Sequence, residues 1–185
     1  PGNGAQPLYN DDKTQVLAAN GEIYNHVQLK SELKDPYNFK TGSDCEVLLP
    51  LYQEFKRTGE VFLDRLVGDF AFAIYDAQDN TYFIARDHMG IVPMYIGSDK
   101  EGRFYVASEM KALTPVCDTV KEFPPGHYLY SKQDLEFHRY YKRDWMEYDN
   151  VKNNKSNISE LKEALMDSVK RQLMCDVPYG LFLSG

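Results

Sequence analysis

Phe70-Ala71-Phe72-Ala73-Ile74-Tyr75, then Gln78-Asp79-Asn80, then Tyr82-Phe83-Ile84-Ala85: this stretch decides the fold. Two short runs rich in aromatic and branched residues flank a cluster of turn formers, the pattern of a β-hairpin. The runs are nearly continuous in apolar residues instead of alternating with polar ones, so both faces of the strands are predicted to be covered. The pattern repeats downstream, where Met94-Tyr95-Ile96 and Phe104-Tyr105-Val106 flank residues 99–102. The spacing predicts one antiparallel meander from Asp69 to Val106, lying between other layers.

Working outward, Gln15-Val16-Leu17-Ala18-Ala19 reads as a buried strand that ends in a sharp turn at Asn20-Gly21. Val27, Leu29 and Leu33 mark a surface helix between Tyr24 and Leu33, closed near Asp35-Pro36. A second helix is predicted from Ser43 or Asp44, with Val47, Leu48, Leu51, Tyr52 and Phe55 on its inner side. A last hairpin joins Tyr128-Leu129-Tyr130 to residues 136–141. Residues 143–156 are polar and are read as a linker, separating one domain over 1–142 from the start of another over 157–185. Asn157 with Glu160 opens a helix carrying Ile158, Leu161, Leu165, Val169 and Leu173, and a buried strand is expected over 177–183. That strand runs into Ser184-Gly185, as a phosphate loop begins.

The chain of 185 residues is long enough for one well-buried domain with an appendage. Fourteen tyrosines and an aromatic share of 14% favour β-rich structure. A formal charge of -7 and the lack of a basic cluster argue against a nucleic-acid partner. No apolar run reaches the roughly 20 residues of a membrane helix and no export signal opens the chain, so neither a membrane nor secretion is expected. Cys45, Cys117 and Cys175 are odd in number and widely spaced, which suggests neither a disulfide framework nor a metal site and fits the cytoplasm.

Four positions invite chemistry. An amide side chain beside a Gly N–H, as in Asn20-Gly21, can supply two donors to an oxyanion; the plain alternative is an Asn-Gly turn with Glu22 after it, and spacing alone favours the turn. Asp44 is a candidate for a substrate ammonium, or simply a helix cap. Arg86-Asp87-His88 could house a base, but a salt bridge supporting the turn at Gly90 and Pro93 is the better reading. Cys45 adjoins Asp44 with no His placed to activate it, so no convincing nucleophile is present.

Together these strings cease to be generic. Gly4-Ala5-Gln6-Pro7, Asn20-Gly21-Glu22-Ile23-Tyr24-Asn25, Thr41-Gly42-Ser43-Asp44-Cys45-Glu46, Gly68-Asp69-Phe70-Ala71-Phe72, Arg86-Asp87-His88-Met89-Gly90-Ile91 and Ala107-Ser108-Glu109-Met110-Lys111-Ala112-Leu113 stand in the order of class II glutamine amidotransferases. Val177-Pro178-Tyr179-Gly180 through Ser184-Gly185 resembles the opening of the synthetase domain of glutamine-hydrolysing asparagine synthetases.

The resemblance implies an α+β fold of the N-terminal-nucleophile hydrolase type, an αββα sandwich incomplete at its N-terminus. The first helix and strand of an α/β ATP-pyrophosphatase-type domain would follow. It implies an oxyanion hole from the Asn20 side chain and the Gly21 N–H, and glutamine binding by Asn20, Gly21, Glu22 and Asp44. ATP would be bound through Phe182, Ser184 and Gly185. The implied substrates are glutamine, aspartate and ATP, the last with Mg2+ in the full-length enzyme; no cofactor is implied for the amidotransferase domain, and a homodimeric parent is compatible. In this family a Cys thiol attacks the glutamine amide and the released ammonia travels to a second site, where ATP activates aspartate. That Cys and the Arg pairing with the glutamine carboxylate are expected upstream of Pro1, so the polypeptide as given is expected to be inactive as a glutaminase. Two other readings remain at this point: the amidotransferase part of a different ligase, and a non-catalytic binding module.

Overall fold

The computed structural model describes residues 4–175 and 177–182. The chain divides into two compact units, Pro1–Lys142 and Arg143–Gly185.

In the first unit the hairpin at the centre of the sequence is the centre of the fold. Strands β1 (Leu8–Tyr9), β2 (Gln15–Ile23), β3 (Gly68–Asp76) and β4 (Thr81–Arg86) form one antiparallel sheet. With β8 (His127–Tyr130) and β9 (His138–Arg139) its order is β1-β2-β3-β4-β8-β9. A second sheet of β5 (Tyr95–Ser98), β6 (Phe104–Ala107) and β7 (Thr119–Glu122) has the order β6-β5-β7. The two predicted hairpins therefore do not form one meander: the chain leaves the first sheet after β4 and builds the second one. The run of short apolar strands is the same in either arrangement, so periodicity could not distinguish them.

Period-two alternation explains the continuous apolar runs. Phe70, Phe72, Ile74, Phe83 and Ala85 point into a core closed by helices α1 (His26–Ser31) and α2 (Leu48–Thr58). Ala71 and Ile84, the intervening residues, point the other way and meet Val92, Met94, Ile96 and Phe123 of the second-sheet side. A four-residue helix, α3 (Met110–Leu113), packs beside β5 and β6. Phe83 is the hub of the helix-side core, with ring centroids of Phe55, Tyr128 and Phe62 at 5.1, 5.3 and 5.6 Å. Leu48, Leu49, Leu51, Tyr52 and Phe55 of α2 are buried against it, each apolar side chain contributing about 1.5–3 kcal/mol of transfer free energy.

The crossing between the sheets is held by buried charge. The Arg86 guanidinium donates to the carbonyls of Val92 (2.7 Å), Phe123 (2.6 Å) and Gly90 (3.0 Å) and to Glu122 Oε1 (2.7 Å). The Asp87 carboxylate accepts from the N–H groups of Met89, Ile91 and Val92 at 3.0–3.1 Å. The structural reading of Arg86-Asp87-His88 is thus what the molecule shows, and His88 stacks on Tyr141 with centroids 4.1 Å apart.

In the second unit a 3-10 turn at Asp144–Met146 and a short helix α4 (Tyr148–Val151) occupy the stretch read as linker. Helix α5 (Ile158–Arg171) starts where predicted: Asn157 Oδ1 accepts from the N–H groups of Ser159 (3.0 Å) and Glu160 (3.4 Å). Its stripe of Ile158, Leu161, Leu165 and Val169 is exposed. Residues 177–182 form no strand among the described residues; a strand requires a ladder partner, and no described strand pairs with them. Ser184 and Gly185 lie outside the described residues.

Candidate functional site

Asn20-Gly21 is not a turn. Strand β2 continues through it to Ile23, with Asn20 opposite Ala71, Gly21 opposite Phe70, Glu22 opposite Asp69 and Ile23 opposite Gly68. The turn preference of an Asn-Gly pair is overridden because a second glycine lies across the ladder. A Cβ on Gly21 would come 2.0 Å from the Asp69 carbonyl oxygen, and one on Gly68 would come 2.2 Å from that of Glu22. Gly21 also has φ +129°, outside the range that residues with a Cβ adopt readily. Two glycines thus let β2 and β3 pinch together where the candidate residues sit.

The outer edge of β2 at this point is closed by side chains. The Gln6 amide accepts from the Ala19 N–H (2.7 Å) and donates to the Ala19 carbonyl (2.6 Å), continuing the pairing that β1 begins. Two steps beyond Gly21, the Ile23 N–H donates to Asp44 Oδ2 at 2.6 Å. Backbone groups of alternate residues in an antiparallel strand face the same edge. The Gly21 N–H therefore points outward between those two, and the Gly21 carbonyl accepts from the Cys45 thiol at 3.6 Å.

The side chains of Asn20 and Glu22 share the sheet face opposite that of Leu17 and Ile23, which enter the helix-side core. Asn20 Nδ2 donates to Ser108 Oγ at 3.3 Å, reaching the segment that follows β6 in the other sheet. Asp44 arrives from a 3-10 turn at Asp44–Val47 that precedes α2. It caps nothing in its own helix; its carboxylate bonds to β2 instead, and the cap reading is set aside. The loop before it is shaped by Glu46, buried, which accepts from the N–H groups of Lys40 and Thr41 (both 2.8 Å) and from the Thr41 hydroxyl (2.6 Å).

Carboxylates dominate the electrostatics. Burial, then the hydrogen bond to Asp69 (3.0 Å) and the charges of Asp69, Glu22 and Asp44, push the Tyr24 hydroxyl up to about 12. Burial, then the charges of Asp44 and Glu22, push the Cys45 thiol up to about 12 as well. Cys45 is therefore a protonated thiol at neutral pH and no nucleophile. An excess of negative charge beside a strand edge with an outward N–H suits a ligand that offers an ammonium to the carboxylates and a carbonyl oxygen to the donors.

The structure brings Asn20, Gly21, Glu22 and Asp44 to the same end of β2, the first and third with side chains on a sheet face, the Gly21 N–H and Asp44 at the strand edge. Phe182 is fully exposed in the second unit. Sequence reasoning missed Ser108, Gly68 and the Gln6 clamp; each lies in a quoted motif, but which residues face one another depends on strand register. Among the described residues no group of three or more His, Cys, Asp or Glu side chains is placed to hold a metal, and no helix is long and apolar enough to cross a membrane.

Comparison with known proteins bears on this geometry. A family model described as a glutamine amidotransferase domain matches residues 1–124, and one described as asparagine synthase matches residues 160–185. The chain is 62% identical over 182 residues to asparagine synthetase B (glutamine-hydrolyzing) of Escherichia coli, covering 98% of this chain and 32% of that protein. It is 45% identical over 185 residues to an asparagine synthetase (glutamine-hydrolyzing) of Zea mays, covering 100% and 30%. It superposes on the glutamine phosphoribosylpyrophosphate amidotransferase of B. subtilis complexed with ADP and GMP with a TM-score of 0.60 at 30% identity, covering 75% of this chain and 32% of that one. The chain spans about a third of the length of these curated relatives. Its two sheets and flanking helices are those of the N-terminal-nucleophile hydrolase fold. With more than half its length matched by that domain model, the chain belongs to the glutamine amidotransferase domain family.

Proposed function

We propose that this chain is the glutamine-hydrolysing part, with the beginning of the ATP-dependent part, of an enzyme that makes asparagine from aspartate, ATP and glutamine, releasing glutamate, AMP and pyrophosphate. The observation that carries the reading is the edge of β2, where the Asn20 amide and the outward Gly21 N–H sit beside the carboxylates of Glu22 and Asp44. In this reading Asn20 and Gly21 receive the oxyanion formed when a thiolate attacks the glutamine amide, and Glu22 and Asp44 hold the glutamine ammonium. Cys45, whose thiol burial and the charges of Asp44 and Glu22 keep protonated, is not that nucleophile. Collapse of the tetrahedral intermediate releases ammonia and leaves a thioester that water hydrolyses to glutamate.

The reading assigns residues 1–142 to the amidotransferase domain, 143–156 to a linker and 157–185 to the start of the synthetase domain. Phe182, Ser184 and Gly185 would meet ATP there. Mg2+ would accompany ATP in the full-length enzyme. A cytoplasmic setting accords with the three unpaired cysteines, and homodimerisation belongs to the same reading. The test is Asn20→Ala in the full-length protein. Glutamine hydrolysis should fall by about 10²–10³-fold, as for loss of one oxyanion donor, while ammonium-fed synthesis is spared. Equal loss of both, or of neither, contradicts the assignment.

A further inference from the structure

We propose that Ser108 is a positioning residue for glutamine hydrolysis: by accepting one N–H of the Asn20 amide, its hydroxyl fixes the terminal torsion of that side chain and leaves the second N–H for the reacting carbonyl. The proposal rests on the reading of Asn20 given above. Torsion about the terminal bond of an Asn side chain is broad and nearly two-fold, so an unrestrained amide presents donor and acceptor almost interchangeably. Presenting Oδ1 to a developing oxyanion would be repulsive. Asn20 is exposed on the sheet face and is not oriented by packing. Its Nδ2 instead donates one N–H to Ser108 Oγ at 3.3 Å. An amide nitrogen carries two N–H groups, so the second stays available for a ligand.

The placement of Ser108 gives the contact further meaning. It lies between β6 and α3, on the segment that leaves the sheet not containing Asn20, 88 residues away in sequence. The oxyanion amide is thus anchored across the sandwich, while its backbone is fixed by the β2–β3 pinch. The motif around Ser108 has no other part in the proposed chemistry.

The experiment compares Ser108→Ala, Ser108→Thr, Asn20→Ala and the Asn20→Ala/Ser108→Ala double variant in the full-length protein. Glutamine hydrolysis and ammonium-fed asparagine synthesis are followed separately. Ser108→Ala should lower kcat for glutamine hydrolysis about threefold to tenfold, the worth of one net hydrogen bond, with KM for glutamine within about twofold because the amide acts on the transition state. Ammonium-fed synthesis should be unchanged, Ser108→Thr should restore kcat, and Ser108→Ala should cost nothing further on top of Asn20→Ala. An unchanged kcat in Ser108→Ala while Asn20→Ala is impaired overturns the proposal and leaves the Asn20 assignment standing. Equal loss of the glutamine-fed and ammonium-fed reactions, or additive loss in the double variant, also overturns it. Unimpaired hydrolysis in Asn20→Ala overturns the underlying reading and the proposal with it.

Discussion

Gly21→Ala tests the pinch between β2 and β3 that shapes the site. Two costs add. The backbone at φ +129° is strained for any residue with a Cβ, which costs about 1–3 kcal/mol. The new methyl would meet the Asp69 carbonyl oxygen at 2.0 Å, the Phe70 Cα at 2.8 Å and the Asp69 carbonyl carbon at 2.9 Å. All three are backbone atoms that cannot rotate away, so the strands must separate, at about 1–3 kcal/mol. The sum is about 2–6 kcal/mol. Gly59→Ala is the control: it has φ +76° but nothing within 4 Å of its Cβ, so it carries the strain alone. In urea unfolding of the chain followed by far-UV circular dichroism, with a slope of about 2 kcal/mol/M, Gly21→Ala should lower the midpoint by about 1–3 M. Gly59→Ala should lower it by no more than about half as much. Equal midpoint shifts in the two variants would refute the close approach.

Phe83→Ala empties the hub of the helix-side core and should destabilise the chain by about 3–5 kcal/mol in the same assay; a loss below about 1 kcal/mol would show that its aromatic neighbours do not pack as described. Asp87→Ala strips the acceptor from three N–H groups and should cost about 3 kcal/mol or more, whereas an unchanged midpoint would mean that the turn holds without it. The Cys45 thiol keeps its proton in the folded state up to about 12, whereas the unfolded chain gives it up near the ordinary 9.0. The native state therefore binds the extra proton between those values, and stability falls as pH rises through that window. Cys45→Ala should flatten the fall; a pH dependence identical in slope to that of the parent chain would contradict the shift.

Much of the fold was legible because the apolar runs at Phe70–Tyr75 and Tyr82–Ala85 could satisfy both of their faces only between two layers. The helix starting after Asn157 was legible from its cap. Two features escaped residue-level reading. Asn20-Gly21 carries a local turn signal, and only the unseen partner Gly68 shows why a strand can run through it. The hairpin of β5 and β6 has the same pattern as that of β3 and β4, and its transfer to a second sheet depends on the Arg86 and Asp87 network, whose partners at Glu122 and Phe123 lie far along the chain. For the candidate site, the motifs carried the residue types. What they could not convey was alternation: Asn20 and Glu22 on a face, the Gly21 N–H on an edge, Ser108 just past the end of β6 of the other sheet.

Under the proposed function, this chain belongs to an enzyme that moves the side-chain amide nitrogen of glutamine into asparagine. The most direct measurement supplies the full-length protein with aspartate, ATP and glutamine carrying a heavy-isotope label at the amide nitrogen, and follows the products by mass spectrometry. Labelled asparagine should form together with AMP, and Asn20→Ala should lose that label transfer while unlabelled ammonium still supports synthesis. Glutamine hydrolysed with no label reaching asparagine, under conditions where added ammonium also yields none, would contradict it.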